Sequence, residues 1–172
     1  MTQHTVRMRP MRMIRLVVHA QSRQPVLVLG EIGGSRCLPV FLRPQQAEVI
    51  SVGPRVAAED QGQAQDVLVP VVGALGARVV GAEITALVDG VYSADLVLRD
   101  AEAAEVRVSV RPSDALAVAV REGLAIGVAD EILDEVGQPT DDLFPQGADA
   151  PPQEQLEDFR EFLDEVTPDD FR

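Results

Sequence analysis

The chain has no lysine, asparagine or tryptophan, and among its 172 residues it has one cysteine, one tyrosine and two histidines. Each scarcity closes a route. Cys37 cannot pair within the chain, and His4 and His19 are too few for an ordinary zinc site of His and Cys ligands. A reducing, cytoplasmic setting is the expectation. With one tyrosine and no tryptophan there is little on which nucleic-acid bases could stack. No run approaches the length of a membrane-spanning helix, and MIRLVVHA is interrupted by Arg15 and His19, so neither a membrane span nor a signal peptide is expected.

What is present is arginine, aliphatic residues and acid. All fifteen basic residues are arginine, and the formal charge is −13. Residues 1–128 hold 13 Arg against 13 Asp plus Glu, whereas residues 129–172 hold 2 Arg against 15 acids. The body is neutral and the C-terminal part carries the excess. Apart from Arg7, Arg9, Arg12 and Arg15 near the start, there is no basic stripe to mark a nucleic-acid surface.

Along the chain, MRMIRLVVHA, QPVLVLGEIG and RCLPVFLR read as strands, and PQQAEVISVG as a helix. QAQDVLVPVVGALG reads as a second helix that stops near Gly76, with Pro70 kinking it or marking its start. Strands then resume in ARVVGAEITALV and VYSADLVLRD, whose Tyr92, Ala94, Leu96 and Leu98 share one face. Asp89-Gly90 between them is a strong hairpin signal. AEVRVSVR alternates, with Val106, Val108 and Val110 expected inward, and leads into RPSDALAVAVREG, a helix apolar almost all round.

A shift of 68 positions lays LPVFLRPQQAEVISVG onto VRVSVRPSDALAVAVR, placing Arg43-Pro44 on Arg111-Pro112, Leu16 on Ile84 and Val28 on Leu96. The expected fold class is therefore α+β, a duplicated strand-strand-strand-helix unit forming a mainly antiparallel sheet of about six strands covered by helices. Proline confines the residue before it to extended geometry and suits the first turn of a helix, so each Arg-Pro is a strand-to-helix corner. After Gly123 come a short strand and a short acidic helix in AIGVADEILDEVG. The expected layout is a tail over 1–12, a domain over 13–136, a Pro, Gly and Asp-rich linker over 137–153 and an acidic amphipathic helix over 154–172. On that last helix Leu156, Phe159, Phe162, Leu163 and Val166 share one face, fit to dock on its own domain or on a protein partner.

Four segments, LPVFL at 38–42, QDVLVPVVGALGARV at 65–79, DGVYSADLVL at 89–98 and above all RPSDALAVAVR at 111–121, resemble the bifunctional nuclease family in order and spacing. The resemblance covers about residues 13–136 and implies action on both DNA and RNA. The acidic C-terminal segment is similar to tails on actinobacterial members. Members carry a His-Asp pair where this chain has Gln65-Asp66, so any role of that histidine has no counterpart here.

Phosphodiester hydrolysis needs an activated water and a stabiliser of phosphoryl charge. Without lysine, and with histidine so scarce, that leaves carboxylates holding Mg²⁺ or Mn²⁺, and arginine. The candidate catalytic residues are Asp114, Asp66 and Arg111, and the candidate metal ligands are Asp66, Asp114 and Glu48. Each has a structural alternative. Asp114 suits the first turn of a helix and Arg111 suits an ion pair with it, while Asp66 suits an N-cap before VLVPVV. Glu83 and Asp95 fall on strands, where alternation alone would put them on the wet face. The competing functional reading is a non-catalytic interaction module. Exposed strand edges also point to a homo-oligomer.

Overall fold

The computed structural model describes residues 6–19, 22–55 and 64–140. In chain order the elements are β1 (Met8–Val18), β2 (Pro25–Glu31), β3 (Arg36–Phe41), α1 (Pro44–Ser51), a 3₁₀ turn (Ala64–Val67), α2 (Leu68–Ala74), β4 (Arg78–Val88), β5 (Val91–Arg99), β6 (Glu105–Val110), α3 (Pro112–Glu122), β7 (Ala125–Ala129), α4 (Asp130–Val136) and β8 (Gln138–Pro139). The strands form one mixed sheet in the order β6-β5-β4-β7-β1-β2-β3-β8. Only β4 and β7 run parallel; every other neighbouring pair is antiparallel. The fold is α+β, with eight strands among the described residues where the sequence suggested about six. The first strand begins at Met8, inside the stretch read as a tail. Beyond Thr140, the expected linker and acidic helix lie outside the described residues.

The Arg-Pro corners form as the chemistry of proline requires. Arg43 (φ −82°, ψ 153°) and Arg111 (φ −66°, ψ 143°) are both extended, and Pro44 and Pro112 open α1 and α3. Asp89 and Gly90 both have positive φ, 51° and 77°, as a tight two-residue hairpin turn demands. Pro70 falls in the first turn of α2, where a missing N–H costs little.

The main core lies between the sheet and α3, in which every residue from Ala115 to Arg121 is buried. Its alternating alanines, Ala115, Ala117 and Ala119, keep the helix slim enough to pack closely on the sheet and on α1. Leu116 is wholly buried, worth roughly 1.5–3 kcal/mol relative to exposure. Leu27, Leu29, Leu38, Ile84, Ala94, Leu96 and Val128 meet these helices from the sheet. Tyr92 and Leu98 pack against the same core, so the expected face of β5 is present. Val26, Val28 and Cys37 form a separate small cluster with Ile14 and Val17 on the opposite side of β1–β3.

That second cluster corrects the 68-residue correspondence. Leu16 and Ile84 are both in the main core, but Val28 faces away from the helices while Leu96 faces them. A one-residue change of register turns a side chain to the other face, so the shift that aligns the first strands and the Arg-Pro corners fails in the second strands. A second correction concerns β6. Val106 and Val108 lie on the helix side but remain 43% exposed, because β6 is an edge strand on which no helix of the described residues packs extensively.

On the helix side of β1–β3, an ion-pair network ties α4 down. Arg36 binds Glu31 and Asp130 through Nη2 at 3.0 and 2.8 Å and Asp134 through Nη1 at 2.6 Å, and Arg9 Nε reaches Asp130 at 2.9 Å. Bonds from Arg9 and Arg36 hold the Asp130 carboxyl down at about 2, and Arg36 likewise lowers Glu31. No helix among the described residues is long and apolar enough to cross a membrane.

Candidate functional site

Arg111 sits at the N-cap of α3 and Asp114 at its third residue. The Arg111 Nε donates to Asp114 Oδ2 at 2.6 Å, and the Asp114 backbone N–H donates to the Arg111 carbonyl at 3.0 Å. The carboxylate thus grips the guanidinium of the corner, and the N-cap side chain makes no capping hydrogen bond. In α1 the matching third residue is Gln46, whose Oε1 accepts the backbone N–H of Arg43 at 3.1 Å. Both corners are fastened from the same position by different chemistry. Arg111 and Asp114 side chains are 65% and 32% exposed, so solvent and substrate can reach them.

Asp66 has another environment. It lies in the 3₁₀ turn, with Val67 holding the N-cap position of α2, and its carboxylate faces the last turn of α3. Arg121 Nε donates to Asp66 Oδ1 at 3.0 Å and Nη2 to Oδ2 at 2.8 Å, while Nη1 donates to the Gly53 carbonyl at 3.0 Å. Both side chains are 1% exposed. This forked geometry is the strong form of the arginine-carboxylate pair, and it replaces the expected capping role. It locks the exit of α1, the entry of α2 and the end of α3 together. Beside it, Arg55 donates through Nη2 to Glu122 Oε2 at 3.1 Å, and the buried Glu122 Oε1 has no hydrogen-bond partner among the described residues.

The proposed metal ligands are not gathered. Asp66 lies against the C-terminal end of α3 and Asp114 in its first turn, about 10 Å apart along the axis at 1.5 Å per residue. Glu48 is exposed on α1. Both Asp66 oxygens are held by a guanidinium, so an ion at Asp66 would have to displace Arg121. Among the described residues no group of three or more His, Cys, Asp or Glu is arranged to hold a metal ion.

What the structure does converge is a set on the side of the sheet facing away from α3. Glu83 and Asp95 are direct cross-strand partners on β4 and β5, and Arg107 of β6 bridges them. Its Nη1 lies 2.6 Å from Glu83 Oε2 and 3.8 Å from Asp95 Oδ2, and its Nε lies 2.9 Å from Glu105 Oε1. Two carboxylates directly opposite repel, and Arg107 offsets that repulsion. Glu83, before the other contacts, raises the Arg107 pKa. Gly127 of β7 leaves room for the Glu83 stem, since a Cβ there would lie 3.3 Å from Glu83 Cγ. Further along, Arg78 and Arg99 are cross-strand partners, both exposed. Alternation put Glu83 and Asp95 on the wet face; bringing Arg107 to them required the β5–β6 register, which the sequence does not display.

The model of the bifunctional nuclease domain matches residues 27–141. Two uncharacterized proteins of Mycobacterium tuberculosis, from strains CDC 1551 / Oshkosh and ATCC 25618 / H37Rv, are each 32% identical over 166 residues, covering 94% of this chain and 96% of the relative.

Proposed function

Because the chain belongs to the bifunctional nuclease domain family, we propose that it cleaves phosphodiester bonds in DNA and RNA on the open face of β4, β5 and β6. The observation that carries this reading is the convergence of Glu83 and Asp95 on Arg107 at a solvent-accessible face. A guanidinium so placed can fork onto phosphoryl oxygens, and a carboxylate it releases becomes a base for water or for a ribose hydroxyl. Arg78 and Arg99 would anchor neighbouring phosphates. Arg111 and Asp114, accessible at the end of β6, would supply a further phosphate contact and carboxylate. Asp66 would act only by positioning, through Arg121.

Mg²⁺ or Mn²⁺ would take oxygen ligands of the Glu83 and Asp95 kind, but Arg107 holds those oxygens. No step is therefore assigned to a metal. The test is cleavage of plasmid and single-stranded RNA by the full chain with Mg²⁺, Mn²⁺ or EDTA, comparing wild type, Glu83→Gln, Asp95→Asn and Asp114→Asn. Loss of a general base should slow cleavage by roughly 10²-fold or more with little change in melting temperature. Wild-type rates in both Glu83→Gln and Asp95→Asn would remove this site from the reaction.

The second reading, a protein-interaction module, is favoured by α2. Val67 and Leu75 at its two ends and Val71 within it recur at four-residue spacing and are all exposed, Leu75 by 80%. If no condition yields cleavage and a partner binds this stripe, the interaction reading replaces catalysis.

A further inference from the structure

The two edges of the sheet are built differently. At the β3 edge, β8 pairs with Arg36 and Cys37, and Pro39 further along has no N–H to offer. Short covering strands and proline are the usual means of blocking edge-to-edge pairing. Among the described residues the β6 edge has neither. Among the described residues only β5 pairs with it, and Glu105–Ser109 are all exposed. On the helix side stand Val106 and Val108, each 43% exposed, and on the open side stand Glu105, Arg107 and Ser109.

We propose that β6 pairs with β6 of a second copy, antiparallel, about a two-fold axis at Val108. The occupant follows from the strand's own complementarity. In this register Val108 faces its counterpart, Val106 faces Val110, Arg107 faces Ser109 and Glu105 faces Arg111, so no like charges oppose and the full strand is used. An axis at Arg107 would set two arginines against each other. One at Val106 would leave Val108 beyond the partner's strand. The pairing joins the two open faces into one, bringing both Arg107 clusters alongside a continuous polar surface. It stands whether or not the chain is catalytic.

A six-residue strand pair with a few valines lies at the small end of specific interfaces, so dissociation on the order of 10 µM is expected. The experiment is sedimentation velocity of the full chain from about 1 to 300 µM, chosen to bracket that value. Wild type should pass from monomer to dimer with concentration. Val108→Lys, which sets two ammonium groups face to face, should weaken dimerisation about tenfold or more with its melting temperature unchanged. Val108→Thr, which keeps strand propensity while removing apolar surface, should weaken it less. Ile32→Lys, at an exposed apolar position outside β6, should behave as wild type. A wild type that stays monomeric throughout overturns the proposal. So does a folded Val108→Lys that dimerises as tightly as wild type.

Discussion

Replacing Asp66 by asparagine keeps the shape of the side chain and removes its charge. Arg121, at 1% exposure, would then lose the carboxylate that its Nε and Nη2 grip, with both of these donors facing a neutral amide. Breaking one side of a buried pair in this way costs about 3–5 kcal/mol. For a chain of this size each kcal/mol moves the melting temperature by about 2–4 °C, so a fall of roughly 6–20 °C is expected. The assay is thermal unfolding followed by circular dichroism at pH 7, repeated as urea titrations so that stability is read without extrapolating in temperature. Replacing both partners, Asp66→Leu with Arg121→Met, should recover most of the loss, since hydrophobic residues often substitute for a buried pair without penalty. A variant Asp66→Asn that melts within about 2 °C of wild type while losing nuclease activity would refute the reasoning. Asp66 would then belong to the chemistry after all.

At the surface the opposite is expected. Asp114→Asn breaks a pair that is partly exposed, worth at most about 1 kcal/mol, so its melting temperature should stay within a few degrees; a drop of 10 °C would assign it a structural load that this geometry does not carry. Acid sensitivity should centre on α4. The Asp130 carboxyl lies at about 2 in the folded chain against an ordinary 3.8, so its contribution is complete above pH 4 and is lost as pH falls toward 2. Urea titrations from pH 5 to 2 should show a shallower decline in Asp130→Asn than in wild type, and parallel curves would contradict this.

The parts of the fold set by local stereochemistry were legible. Asp89-Gly90 and the two Arg-Pro corners announce themselves because positive φ and a fixed proline φ admit few residues. Alternation placed Tyr92 and Leu96 inward and Glu83 outward without any knowledge of partners. What escaped depends on register. That β6 lies at the edge, leaving Val106 half bare, is a matter of which strands neighbour which. The same holds for Arg107 meeting Glu83 from 24 residues away and Arg121 meeting Asp66 from 55 residues away. Asp66 read as a cap because its nearest sequence neighbours start a helix; its true partner ends another one.

β7 has a consequence for the order in which the molecule can be made. It is the strand between β4 and β1, and among the described residues the one through which the two three-stranded sheets meet. Yet it comes after all six of their strands in the chain. During synthesis each meander can form as soon as its own three strands emerge, but the seam between them stays open until residue 129 has appeared. The joint is also the point of longest sequence separation in the sheet, since Met8 pairs with Ala129. Closing it is the slow, non-local step that contact-order arguments single out. A nascent chain stalled before β7 would present two unfinished edges, at β1 and β4, each ready to accept a strand from another molecule.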